Sequence, residues 1–584
     1  MLGLSRVSQA QAETFSNSPV LSNYQLKQNF ANLRFGMFIH FNLGTFTNQE
    51  WALPNQNPNK FNPTGVHPTQ WANAAKSAGM TFAVLTTKHH DGFALWPTKY
   101  GKKNNFGTYQ NVMSSQYPHD IVKMYVDSFR AVGVTPCLYF SIWDRTEGIV
   151  AGATDSGAIT PAQMATITGE LTELLTNYGT IPLIMFDGWT WMAGRQQVAY
   201  QTIRDTVKAL QPNILICDHN GLTQPFEEDI LNFEHFNVPA SNTFVSTQGN
   251  KIYGSGWFWH TASFNNGAGN GGVKSASSIG GMLKGTTEPV WCNYLLDCPP
   301  DTNGVIESDI TSQLSQVPKY WTPNTGRKAL PDPGPVLEYP VTPVGITASS
   351  MASTANKPYW AIDGHSDWVS GAEVEKVWKS AAVPSVASPQ WLDMDLGQVY
   401  PNISMLEYMP DQARSTGNDI TTVTNKASFV TGYNIYVSTD NKTFTKVAAG
   451  TFPATGLIHP VTFSPVPARY VKFEITATSG NVAAVVDEID IGRSCAGKFC
   501  TTELATPRSA LPAFATCRNL PTGGIGIEAQ GAFGYRVLSI AGGELEDGTG
   551  QDRAVAGRGL RPGVYLVQVH SALHGDQTVK ILRN

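Results

Sequence analysis

The sequence predicts an α/β protein: a (β/α)8-type barrel followed by an all-β sandwich and a small C-terminal β domain. Three observations carry this. Between Arg34 and about Asp297, short apolar runs alternate with helical or loop segments, the signature of parallel strands covered by helices. A Pro-rich stretch, Pro331 to Pro343 (PDPGPVLEYPVTP), then ends that pattern as a stiff linker would. Beyond it, alternating runs such as GYNIYVS at Gly432 to Ser438 and ARYVKFEIT at Ala468 to Thr476 are separated by turn residues, as in a sandwich.

Eight runs are the candidate barrel strands: Phe35 to Phe41, Thr81 to Thr87, Thr135 to Ser141, Pro182 to Asp187, Ile214 to Asp218, Ile230 to Glu234, Gly256 to His260 and Pro289 to Leu296. No glycine-rich phosphate loop follows the first, which disfavours an open dinucleotide-binding sheet. Helical apolar spacing marks Trp71 to Ala78, Asp120 to Val132, Pro161 to Tyr178 and Gln197 to Leu210. The Gly/Asn/Ser-rich Phe264 to Ser278 reads as a long loop near the barrel mouth. The expected boundaries are an N-terminal extension at 1–24, the barrel at 25–330, a linker at 331–344, the sandwich at 345–492, a second linker at 493–521 and the last β unit at 522–584, with strands at Phe533 to Ile540 and Gly563 to Ser571.

Composition removes several function classes. Charged residues are 15% of the chain, against about 25% in an average soluble protein, and the net charge is -5. Such a chain has no basic field for nucleic acid or anionic lipid. No run approaches the roughly 18 apolar residues of a membrane span. Ala10-Gln11-Ala12 fits a small-residue cleavage site, so the N-terminal extension is read as a signal remnant. Of seven cysteines, Cys495, Cys500 and Cys517 suit a local loop disulfide, while Cys292 and Cys298 either pair or lie buried as small hydrophobes. There is no CxxC or HExxH pattern to hold a transition metal.

Parallel barrels keep their chemistry at the C-terminal ends of the strands. There the sequence places His40, then His89, His90 and Asp91, then Ser141 to Asp144, Asp187, Asp218 and His219, Glu234, and finally Trp257 and Trp259. Two carboxylates, Asp187 and Glu234, stand among imidazoles and indoles. Glycoside hydrolysis needs that set: one carboxylate at the anomeric carbon, another to move the leaving group's proton, and aromatic faces for the sugar's C–H patches. The alternatives are a satisfied core histidine at His40, a turn aspartate at Asp187, and an acid among Glu227, Glu228 and Asp229 in place of Glu234.

The motifs RFGMFIHF (Arg34 to Phe41), Glu50-Trp51, TTKHHDGFALW (Thr86 to Trp96), LYFSIWD (Leu138 to Asp144) and FDGW (Phe186 to Trp189) resemble the retaining α-L-fucosidases of glycoside hydrolase family 29 over residues 25 to about 325. The resemblance implies Asp187 as nucleophile and Glu234 as acid/base, the latter through the WFWH segment at Trp257 to His260. It implies fucose contacts at His40, Glu50, Trp51, His89, His90 and Tyr139, to which the apolar position Trp257, or Phe258, adds a wall for the sugar's methyl group. Two departures are NFEHF around Glu234, where an Asn-Glu pair followed by Gly is more usual, and Met185 in place of a family tryptophan. No cofactor is required by this chemistry. Residues 345–492 resemble discoidin-like (F5/8 type C) sandwiches through AIDG (Ala361 to Gly364), Trp368 and WLDMDLG (Trp391 to Gly397). That resemblance implies a carbohydrate-binding or a packing module, with a structural calcium ion near Asp363 and Glu488. The last 60 or so residues, with RPGVYLVQV, resemble type IX secretion sorting domains. Together these imply a secreted bacterial exo-α-L-fucosidase acting on a fucosylated oligosaccharide or polysaccharide. The competing classes are a non-catalytic, lectin-like fucose binder and an exo-glycosidase for a related sugar such as galactose.

Overall fold

The computed structural model describes residues 20–149, 159–188, 200–218, 228–234, 237–264, 269–331, 337, 340–364, 376–413, 423–494, 515–520, 524–539, 544–560, 563–571 and 575–583. It forms two compact units, one through Ser494 and one from Cys495.

In the first unit, eight parallel strands close a barrel in chain order: β1 (Phe35–Ile39), β2 (Phe82–Lys88), β3 (Thr135–Ser141), β4 (Leu183–Asp187), β5 (Leu215–Asp218), β6 (Ile230–Phe233), β7 (Ser246–Lys251) and β8 (Cys292–Asp297). Strand β1 closes the circle against β8, with Phe38 opposite Asp297. Five of the strands read as continuous apolar runs because both faces are buried, one under helices and one in the barrel lumen. Several helices begin where the sequence supplies caps. Thr160 and Gln163 form a capping box ahead of Pro161–Asn177, with Pro161 at the first helical position.

One predicted strand is displaced. Residues 256–260 form no strand; the seventh is Ser246–Lys251 (STQGNK). A polar hexapeptide can line a barrel because its neighbours supply partners: the Thr247 hydroxyl donates to Asn232 Oδ1 at 2.7 Å and the Gln248 amide to Asn237 Oδ1 at 3.0 Å. The segment expected to be a loop up to Ser278 includes the start of a helix, Ala276–Met282, capped by Ser275. Cys292 and Cys298 are both buried free thiols. Cys495 and Cys500, like His219, Trp189 and Trp368, lie outside the described residues.

The sandwich adds β9 (Pro340–Val341), β10 (Gly345–Ala348), β11 (Trp378–Lys379), β12 (Gln390–Met409), β13 (Val430–Ser438), β14 (Thr445–Thr451), β15 (His459–Thr478), β16 (Val485–Val486) and β17 (Glu488–Arg493). Its main sheet runs β14-β13-β15-β12-β17-β9, with β10 on β12. The end of the Pro-rich segment therefore belongs to the sheet. Leu231 and Phe233, on the outer face of β6, cluster with Met409 of β12 and with Ile458, so the sandwich covers this part of the barrel wall. In the second unit β18 (Ala515–Asn519), β19 (Ile525–Ser539), β20 (Glu544–Ala556), β21 (Gly563–Ser571) and β22 (Gly575–Arg583) make one antiparallel sheet. Its first strand starts inside the expected linker.

Candidate functional site

Side chains alternate across a strand, so residues two apart face the same way. Phe38, Tyr139, Met185 and Leu295 belong to the cluster inside the barrel. Two residues beyond Phe38, Met185 and Leu295 come His40, Asp187 and Asp297, which parity brings to the rim of the same lumen. Strand β2 needs a correction to join them. Thr86 pairs with Tyr139 but Lys88 with Phe140, an extra residue on β2. This bulge turns Lys88 outward, where its ammonium lies 4.4 Å from the Phe140 ring, and frees His89 and His90 for the pocket.

Asp187 is held on both oxygens. Its Oδ1 accepts from the Gly188 N–H at 2.6 Å, and Oδ2 accepts from the Tyr139 hydroxyl at 2.6 Å. His90 Nε2 lies 3.5 Å from Oδ2, while His90 Nδ1 is 2.7 Å from the Ser141 hydroxyl. Gly188 has φ of 77°, and a Cβ there would stand 2.4 Å from Trp143 Cβ, so this turn admits only glycine. Burial, reinforced by the Asp187 charge, holds the Tyr139 phenol well above its ordinary pKa, so it stays a donor. The charge of Glu234 also reaches that phenol.

Burial holds His89 well below the usual imidazole range, and the neighbouring His90 and His40 add to this, so His89 is neutral. Its ring lies 4.2 Å from that of His90 and 5.0 Å from Phe258. His89, His90 and Asp187 offer ligating atoms within 4.8 Å of one another, a spacing that suits a polyhydroxylated group as well as a cation. His40 is ringed by Trp257 at 5.3 Å and Phe258 at 5.2 Å.

Glu50 carries a different set of partners. Its Oε1 accepts from the Trp257 N–H at 2.7 Å and lies 2.9 Å from His260 Nε2, which ties the loop after β1 to the WFWH segment. Trp51 is 43% exposed at the mouth, edge-on to Trp143 and His90. Glu234 directly follows β6 and is partly exposed. Gly249 of β7 lies beside both: a Cβ there would stand 3.5 Å from the Trp257 ring and 3.9 Å from Glu234 Cα, which places these two next to each other. Asp363 and Glu488 both lie in the sandwich, where Glu488 Oε2 accepts from the Gly364 N–H at 3.3 Å.

The sequence reading omitted two groups. Asp297 is fully buried, with Oδ1 2.8 Å from His40 Nδ1. It ends an apolar run, NYLLD, so the strand-end rule could have found it. Behind the site, Lys88 Nζ donates to Asp144 Oδ2 at 2.9 Å and Glu170 Oε2 at 2.5 Å, all three buried. Burial works against the Lys88 charge, but those two carboxylates outweigh it and keep it protonated. Nothing local in the sequence announces this triad.

Two segments of the chain match known families. Residues 55–326 match the family "Alpha-L-fucosidase", and residues 345–489 match "F5/8 type C domain". Alpha-L-fucosidase 1 of Arabidopsis thaliana is 30% identical over 322 residues, 50% of this chain and 58% of that protein, so the chain spans little more than half its length. Human tissue alpha-L-fucosidase is 30% identical over 108 residues, 14% of this chain and 23% of that protein. Among solved structures, a putative alpha-L-fucosidase from Bacteroides ovatus aligns with TM-score 0.43 and 18% identity over 95% of both chains. A Ruminococcus gnavus fucosidase in complex with fucose aligns with TM-score 0.39 and 16% identity over 82% of this chain and 97% of that one. The barrel segment, residues 55–326, is thus similar to the α-L-fucosidase family, and the segment that follows, residues 345–489, to F5/8 type C domains.

Proposed function

We propose that this protein is a retaining exo-α-L-fucosidase that removes terminal α-L-fucose from a fucosylated glycan. The observation that carries the reading is Asp187 at the end of β4, gripped by Tyr139 and Gly188 inside a fucosidase-family barrel, with Glu234 at the end of β6. Asp187 attacks C1 of fucose as the bond from C1 to the leaving oxygen breaks, and Glu234 gives that oxygen its proton. Water then attacks C1 and surrenders a proton to Glu234, the bond to Asp187 breaks, and fucose leaves with its configuration retained.

His40, Glu50, Trp51, His89, His90 and Tyr139 bind the sugar hydroxyls and ring, and the apolar faces of Trp257 and Phe258 receive the methyl group. A galactoside would have to place a hydroxyl against those faces. No cofactor enters these steps. A calcium ion near Asp363 and Glu488 would serve only the sandwich. The C-terminal β sheet acts as an export and surface-attachment tail, which makes the enzyme extracellular; among the described residues, no helix is long and apolar enough to cross a membrane.

Hydrolysis of 4-nitrophenyl α-L-fucoside and the matching α-galactoside, with Asp187→Ala and Glu234→Ala beside the unmodified enzyme, tests this. Fucose release that Asp187→Ala abolishes and azide restores in one carboxylate variant is the expected result. Fucose binding without turnover of any fucoside would replace it with the lectin-like reading.

A further inference from the structure

At the closure of the barrel, Phe38 of β1 faces Asp297 of β8, and the next inward residue, just past the end of β1, is His40. The Asp297 carboxyl is 0% exposed and His40 is 4% exposed. Oδ1 meets His40 Nδ1 at 2.8 Å, while Oδ2 is buried with no hydrogen-bond partner among the described residues. A carboxylate with one orphaned oxygen is costly in such a place, and sharing a proton with the His40 imidazole lowers the cost. The two nitrogens of an imidazole point apart. Whatever holds Nδ1 therefore decides what Nε2 can offer to the rest of the pocket.

We infer that Asp297 is a positioning residue which, by sharing one proton with His40, fixes His40 Nε2 as a hydrogen-bond donor to a hydroxyl of the bound sugar. This rests on the fucosidase reading of the site. With one proton between them, the pair is either carboxylic acid and neutral imidazole or carboxylate and imidazolium. In both forms Nε2 carries hydrogen. Once that proton is lost, Nδ1–H donates to the carboxylate and Nε2 presents a lone pair, which a sugar hydroxyl meets only by giving up its other bonds.

Burial, with the Glu50 charge adding to it, keeps the Asp297 carboxyl well above the usual carboxylate range, so the shared proton persists at neutral pH. The other groups facing the pair are Lys251 at the end of β7, Lys274 beyond it, the Cys298 thiol, the His89 imidazole and the Tyr139 phenol. Lys251 and Lys274 act against the upward shift.

The test is L-fucose affinity by calorimetry, with KM and kcat on 4-nitrophenyl α-L-fucoside, from pH 5 to pH 10 for the wild-type chain, Asp297→Asn and Asp297→Leu. An asparagine amide can still donate to Nδ1 and preserve Nε2–H, but has no proton to lose. Asp297→Asn is expected to bind fucose within about 3-fold of wild type near neutrality with no alkaline loss. Wild type should lose roughly 10-fold at the alkaline end, about one hydrogen bond's worth. Asp297→Leu should lose at least as much at every pH, seen in KM more than in kcat, with thermal melting confirming that it folds. Wild-type affinity that stays flat to pH 10, Asp297→Leu binding like wild type, or Asp297→Asn binding as poorly as Asp297→Leu overturns the inference. If the leucine variant does not fold, the pH profiles of wild type and Asp297→Asn decide alone. Absence of both fucose binding and turnover in the wild-type chain would instead remove the fucosidase reading.

Discussion

Tyr139 is the side chain whose removal separates the two halves of the proposed reaction. Its hydroxyl donates to Asp187 Oδ2 over 2.6 Å in a buried site, a charge-assisted bond. Such bonds contribute about 1.5–3 kcal/mol. In the first step the carboxylate loses its charge to the new bond, so the phenol's help fades. In the second step the carboxylate is the leaving group and regains its charge, so the phenol helps most there. Tyr139→Phe should therefore slow release of fucose from the enzyme by about 10- to 150-fold, the factor equivalent to that energy. The fold should hold, because the phenyl ring keeps its place in the lumen cluster. Stopped-flow kinetics with 4-nitrophenyl α-L-fucoside should show a burst of one nitrophenolate per enzyme, with kcat falling more than kcat/KM. A variant that loses kcat and kcat/KM equally, with no burst, refutes the reasoning.

Three further predictions concern groups around the site. Burial pushes Asp91 up to about 7 from the ordinary 3.8, although it accepts from the Phe93 N–H. A raised carboxyl contributes stability that is fully present below about pH 4 and lost as pH rises through 7; at about 1.4 kcal/mol per unit this is roughly 4 kcal/mol at most. Asp91→Asn should thus melt like wild type at pH 4 and at a higher temperature at pH 8. Lys88→Met strands the buried Asp144 and Glu170 carboxylates, the latter pushed up to about 7 by burial, and should cost about 3–5 kcal/mol in chemical denaturation. A second substitution, Glu170→Leu, should return part of that loss. Met409→Ala opens a cavity against Leu231 and Phe233 on the strand that leads to Glu234, and should cost about 2–5 kcal/mol and reduce turnover well below the melting temperature.

What could be read from the sequence was whatever local pattern encodes. Strand β3 falls on the predicted residues, and β4 differs by one, because apolar runs buried on both faces need no partner to be recognised. Strand β7 is hidden because its buried polar groups donate hydrogen bonds to Asn232 and Asn237, residues of other segments. The aromatic WFWH run reads as a strand because it is apolar, yet it is a loop pinned by Glu50 from the loop after β1. The same holds for chemistry. His40, His89, His90, Tyr139 and Asp187 stand at strand ends and converge, whereas the partners of Lys88 lie 56 and 82 residues away and no spacing rule points to them. Asp297 escapes the strand-end rule because the apolar run Pro289 to Leu296 stops one residue short of it, whereas the strand continues to Asp297.

The most direct test of the account is covalent trapping. The protein is incubated with a 2-deoxy-2-fluoro-α-L-fucosyl donor, whose fluorine slows release of the sugar, and the digested adduct is sequenced by mass spectrometry. One fluorofucosyl group on the peptide containing Asp187, absent from Asp187→Ala, is the predicted result. A label on another carboxylate, or no label together with a product of inverted configuration, would contradict the assignment of Asp187 as nucleophile and with it the two-step mechanism.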